Sequence, residues 1–247
     1  MILTIARKEF RSLFAMPSTW LILGALQFIF AWFFLARLDA FLQVQAQLAQ
    51  IANAPGATLA VVAPLFGTLA LVLMMLVPVF TMRLYAEERR NQTLILLLAA
   101  PVSTFHIVLG KFFGLLLFLL LIISGCSLMV LSLAAGTQLD LGLLFSNALG
   151  VLLLAASYAA LGGYISSLTV QPVIAAIAAL AALFGLWLVE ISATDNDTIL
   201  RGFTPGSHFQ NLNLGLLNSA DLIFFALFII VFLVLTLRRI NNNRIYG

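Results

Sequence analysis

A chain of 247 residues that is 63% hydrophobic and only 9% charged, with a mean hydropathy of +1.15, has too little polar surface to close over a water-soluble core. Its net charge of +3 comes from 12 basic and 9 acidic residues scattered between apolar runs, so the pI near 9.4 marks no basic face for nucleic acid. The lone cysteine, Cys126, excludes an intrachain disulfide and a thiolate metal site, and inside its apolar run it reads as a small packing residue.

Residues 1–16 alternate apolar Ile2, Ile5, Phe10, Leu13 and Phe14 with Arg7, Lys8, Glu9 and Arg11. That pattern suits an amphipathic helix lying in the membrane interface, and Pro17 supplies a corner after it. The run that follows is too long for a signal-peptide core and ends in no small-residue cleavage site, so it reads as a span. A helix needs about 20 apolar residues to cross the hydrocarbon core. Charge-free runs predict six such spans, over about 18–36, 59–82, 112–133, 145–166, 173–189 and 222–237. The last is short, and is expected to extend outward or to sit where the bilayer is thinned. The Gln- and Ala-rich stretch 40–58 reads as a short helix without chemistry, and no internal repeat at a fixed period is present.

Lipid offers the backbone no hydrogen-bond partners, so these runs must be helical unless they close into a barrel. The alternation that marks barrel strands is missing. The expected fold class is therefore an all-α integral membrane protein, a single domain over 1–247. With both ends on one side, that side holds Arg7, Lys8, Arg11, Arg83, Arg89, Arg90, Lys111, Arg238, Arg239 and Arg244, against Arg37 and Arg201 on the other. The positive-inside rule then places both termini in the cytoplasm.

The segment 83–111 joins the second and third spans. Its charged cluster Glu87, Glu88, Arg89 and Arg90 precedes the apolar run Leu94 to Ala100, which Pro101 ends and which is too short to span. Two readings follow from the residues: a short surface helix that docks a cytoplasmic partner, or a juxtamembrane loop that snorkels its charges into the headgroups.

The same segment resembles the first cytoplasmic loop of ABC type-2 exporter permeases, which commonly reads A-E-E-(R/K)-x-x-G-T-L-E-L-L-L-x-x-P-V-S before a Gly-Lys pair. Matching residues are Ala86, Glu87, Glu88, Arg89, Thr93, Leu94, Leu96, Leu97, Leu98, Pro101, Val102, Ser103, Gly110 and Lys111. Two positions depart: Gln92 stands where glycine is usual, and Ile95 where an acidic residue is common. The opening stretch, with Lys8, Glu9, Phe10 and Pro17, is similar to the family's amphipathic first helix. Pro205, His208, Phe209, Gly215 and Asp221 resemble the outer loop of the branch containing gliding-motility and nitrous-oxide-reductase-maturation permeases.

The resemblance implies an ABC type-2 exporter fold with a cytoplasmic coupling helix, paired with a second permease copy or a paralogue and with two ABC ATPase subunits. Glu87, Glu88, Arg89, Arg90, Thr93, Leu94, Leu97 and Pro101 would then carry the ATPase coupling. The chain has no G-x-x-x-x-G-K-[ST] sequence. ATP and Mg are therefore expected on the partner ATPase, with no cofactor and no catalysis on this chain.

The short loop 166–172 faces the same side, and Ser167, Thr169 and Gln171 make it either a second ATPase contact or a simple turn before Pro172. The predicted spans hold no Asp, Glu, Lys, Arg or His in their interiors, which argues against an ion-coupled transporter or channel. No nucleophile–base set can be assembled for a membrane enzyme, and His106 and His208 lie on opposite sides, so no metal site is expected. The outer segment 190–221 mixes Gly202, Pro205, Gly206 and Gly215 with Phe203 and Phe209. It is a candidate re-entrant lid over an exit, with Glu190, Phe203, Pro205, His208 and Phe209, although Glu190 also reads as a plain membrane-boundary acid. Close packing, within the chain or between subunits, is open to the Gly110–Gly114 pair and to Ala175, Ala176, Ala178, Ala179, Ala181 and Ala182. The alternative to an exporter is a membrane anchor or mechanical coupler that transmits ATPase motion to a periplasmic partner. The apolar spans favour a lipid-like cargo over a free ion.

Overall fold

The computed structural model describes residues 1–48, 58–93, 102–136, 139–192 and 202–246. These residues are helical with short connections and contain no strand. Six of the helices are long and apolar enough to cross a membrane.

Helix α1, Ile2–Ala15, ends where Met16 turns extended, and α2, Pro17–Leu48, begins at the next residue. The Trp20 indole donates to the Phe14 carbonyl at 3.0 Å, satisfying one of the acceptors left free at the end of α1. The stretch expected as a separate short helix over 40–58 is, as far as Leu48, the continuation of α2, and 49–57 lie outside the described residues. Arg37 and Asp39 are exposed on it, and Gln43 donates to Asp39 one turn back at 3.0 Å.

Helix α3 runs through Thr58–Arg90, with an α-helical body Ala63–Met82 between two π-helical turns, Thr58–Val62 and Arg83–Glu87. It stops at Asn91, and Gln92 takes a positive φ of 56°. Helix α4, Thr104–Leu131, is capped by Ser103 and runs on into a 3-10 turn, Ser132–Ala135. The loop expected over 83–111 is thus much shorter. Its charged cluster is the last turn of α3 and not the start of a separate helix, and Lys111 lies two turns inside α4.

Asp140 caps α5, Leu141–Leu168, accepting from Gly142 and Leu143 amides at 2.9 and 3.2 Å. Helix α6 is Pro172–Ser192, α7 is the short Pro205–Asn213, and α8 is Ser219–Tyr246. The last span is not short. Its helix continues past Arg238 and Arg239, both exposed, because a cation at the rim can reach water while its backbone stays hydrogen-bonded.

α5 is the hub, packed against α3, α4, α6, α7 and α8. In its most apolar stretch 67% of the residues are buried, against 17% in α2 and α8. Gly162 makes the contact with α3 close, since a Cβ there would run into Thr81 Oγ1. The alanines of α6 divide by face: Ala175 and Ala179 are buried in contacts within the chain, whereas Ala178 and Ala181 are exposed. Gly110 and Gly114 receive α1, because a Cβ on them would lie 2.6 Å from Ile5 Cβ and 2.7 Å from Glu9 Cβ. Cys126 is fully buried.

Candidate functional site

The end of α3, the start of α4, the end of α5 and the end of α8 meet at one end of the bundle, with α1 laid along α4. Lys111 lies at the centre of this junction and is 1% exposed. Its ammonium donates to Glu9 of α1 at 3.1 Å and to Glu88 of α3 at 2.6 Å, and sits 5.7 Å from the centroid of the Tyr85 ring. Glu9 also accepts from Lys8 at 3.4 Å. A buried lysine is tolerated only when paired in this way. The charged turn of α3 is therefore tied by one cation to α1 and to α4 together.

Ser166 of α5 explains the π-helical turn just before that cluster. Its hydroxyl accepts from the Tyr85 and Ala86 amides at 3.3 and 3.1 Å and donates to the Met82 carbonyl at 3.1 Å. A side chain inserted into the backbone ladder is a known cause of such a local widening, and these turns concentrate at functional sites.

Glu87 lines a cavity of about 200 Å3 under α1, together with Lys8, Glu9 and Arg83. Arg90 is exposed, and the Thr93 hydroxyl donates to the Glu88 carbonyl at 3.3 Å. Leu94, Leu97 and Pro101 lie outside the described residues. In the neighbouring turn Ser167 is buried and donates to the Tyr164 carbonyl at 2.6 Å, whereas Thr169 accepts from the Gln171 amide at 3.2 Å and Gln171 is exposed.

At the opposite end α7 is stitched to four helices. His208 Nδ1 meets Asp221 of α8 at 2.5 Å while Nε2 faces the Gly202 carbonyl at 3.1 Å. The His208 ring also stacks on Phe224 at 4.0 Å. Asn211 donates to both Asp221 oxygens at 3.3 and 3.2 Å, Gln210 to Glu190 of α6 at 2.7 Å, and Asn213 to the Ala63 carbonyl of α3 at 2.9 Å. From α5, Ser146 donates to the Leu212 carbonyl at 2.7 Å, and Gly150 leaves room for Phe209 and Leu212. Pro205 and Phe209 are buried, and Phe203 is exposed.

Glu190 and Trp187 stand between two cavities. A polar one of about 480 Å3 is lined by His208, Gln210 and Asn211, and another of about 330 Å3 reaches inward to Leu154 and Tyr158. Among the described residues no group of three His, Cys, Asp or Glu side chains could hold a metal.

Of the residues singled out from sequence, the structure brings Glu88 into the Lys111 junction and gathers Glu190, His208, Pro205 and Phe209 at the other end. It adds Glu9, Lys111, Tyr85 and Ser166 to the first group, and Asn211 and Asp221 to the second. Lys111 carried a usable signal, a lone cation followed directly by a long apolar run.

A family model described as ABC-2 family transporter protein matches residues 3–243, almost the whole chain. No curated protein matches it.

Proposed function

The chain belongs to the ABC-2 transporter family, as a multi-pass membrane permease component, and on that premise we propose that it drives export with energy supplied by separate ABC ATPase subunits. The observation that carries this reading is the Lys111 junction: the charged turn Glu87–Arg90 is joined ionically to two other helices, so a push on that turn moves α1 and α4 with α3. Two ATPases holding ATP and Mg would deliver the push at Arg90, Thr93, Leu94, Leu97 and Pro101, with Thr169 and Gln171 as a second contact. The response is a rigid-body switch of packed helices. Ten basic residues at this end orient it, with both termini, toward the cytoplasm of a bacterial inner membrane. A second permease, identical or a paralogue, would cover the outward faces of α2 and α6.

At the far end α7 would serve as a lid, with Glu190, Phe203, Pro205, His208 and Phe209 around the exit. The likeness of this segment to gliding-motility and nitrous-oxide-reductase-maturation permeases supports that branch of the family. It also keeps the mechanical-coupler reading, in which a periplasmic partner sits on the polar cavity beside α7.

The test is co-purification in detergent with the cognate ATPase, comparing wild type with Arg90→Glu plus Leu97→Asp. Arg90 is exposed and outside the Lys111 junction, so its change leaves that junction in place, and membrane insertion is checked for the double variant. Loss of the ATPase with membrane insertion intact is expected. Equal retention would overturn the coupling assignment. Substrate-free ATPase stimulation by a periplasmic protein would favour the coupler over the exporter.

A further inference from the structure

The carboxylates near the end of α3 all turn toward α1 and Lys111. Glu9 and Glu88 are bonded to Lys111, and Glu87 lines the cavity that Lys8 and Arg83 share. Arg89, between Glu88 and Arg90, points elsewhere. It is half-buried, and one terminal nitrogen of its guanidinium is covered without any hydrogen-bond partner. The charge that acts on it is another cation, Arg239 of α8. The packing explains the approach. Tyr85 of α3 and Thr236 of α8 line one small gap, with Phe112 of α4 and Gly163 of α5, and Arg89 and Arg239 each follow about one helical turn later.

Neither guanidinium has an ion pair among the described residues. The stretch 94–101, which follows this turn, contains no acidic residue. Two arginines held together, one of them with a desolvated donor, are unfavourable without an anion between them. The guanidinium fork matches a phosphate through paired N–H donors.

We propose that Arg89 and Arg239 form a binding site for the phosphate of an anionic phospholipid, where the last turns of the α3 and α8 spans approach. Both residues lie in the last turn of a membrane-length apolar stretch, Thr58–Arg90 and Ser219–Asn242, which is the depth at which headgroups lie, and basic pockets between such helices are suited to them. Exposed Arg90 and Arg238 flank the pair and add to the field. The lipid would neutralise the pair and brace the charged turn against α8. This site does not depend on the coupling reading, since lipid binding can be measured with no ATPase present.

The experiment titrates phosphatidylglycerol against phosphatidylcholine into the purified full chain in neutral detergent, and counts retained lipid by native mass spectrometry. Wild type is expected to prefer phosphatidylglycerol, and Arg89→Gln with Arg239→Gln to bind it on the order of tenfold more weakly. Arg239→Gln alone sits at an exposed position, so it keeps the fold and is expected to lose much of the preference. Arg7→Gln with Arg11→Gln removes the same charge from the exposed face of α1 and is expected to stay near wild type. Unchanged binding in the Arg89/Arg239 variants would overturn the site, as would an equal loss in the Arg7/Arg11 variant. Undiminished lipid binding with weakened ATPase association would assign the pair to a carboxylate of the ATPase instead.

Discussion

Lys111 is bonded to two carboxylates where almost no water reaches it, and this determines what its removal should do. Lys111→Met would leave Glu9 and Glu88 without their shared cation, and an expected loss of about 3 kcal/mol follows from uncompensated charge in a mostly buried place. Thermal unfolding in detergent measures it. Adding Glu9→Gln and Glu88→Gln to the same chain should return most of the loss, because a neutral triad needs no counter-charge. If the triple variant stays as unstable as the single one, the lysine stem and not its charge holds the junction. Gln92 gives the opposite case. Its φ of 56° is a left-handed conformation just past the end of α3, where glycine costs least. Gln92→Gly is expected to raise stability by about 1 kcal/mol, the usual relief of a side chain in that region. The same geometry accounts for glycine being usual at this position of the resembling loop.

Among the elements, α1 depends most on a single contact. Gly114 admits it so closely that a Cβ would lie 2.9 Å from the Ala6 carbonyl. Gly114→Val should therefore lift α1 from α4 and speed tryptic cleavage at Arg7 and Arg11. Gly24→Val on α2, where nothing lies within 4 Å, should leave cleavage unchanged. This contact was half-legible in sequence: the Gly110–Gly114 spacing announced close packing, but not with which helix. Helix existence read well because a charge-free run in lipid has little choice of structure. Helix ends read poorly, since Arg37, Lys111 and Arg238 interrupt the apolar runs without interrupting the helices. The Lys111 junction was least legible. Lys111 is 102 positions from Glu9 and 23 from Glu88, and only the laying of α1 on α4 brings the three together. The distal cluster was legible as a set of positions in one outer segment, but the contacts were not: Asp221 stood only as a matching position of the resembling loop until α7 placed His208 and Asn211 on it.

At the scale of the molecule, the two ends of the bundle are built for different work. One gathers arginines and a buried lysine around a turn of α3, and the other ties a short helix across four spans with neutral and acidic groups. If the basic end faces the cytoplasm, an impermeant maleimide added to intact cells should label Phe203→Cys at the far end. It should reach Asn241→Cys, near the end of α8, only after the membrane is opened. Both positions are exposed, and native Cys126 is fully buried, so the background should be low. Labelling of Asn241→Cys in intact cells would reverse the orientation. The Lys111 junction would then face away from any cytoplasmic ATPase, and the exporter and coupler readings would fall together. The expected pattern leaves both standing and makes the docking of the ATPase at Arg90 the measurement that follows.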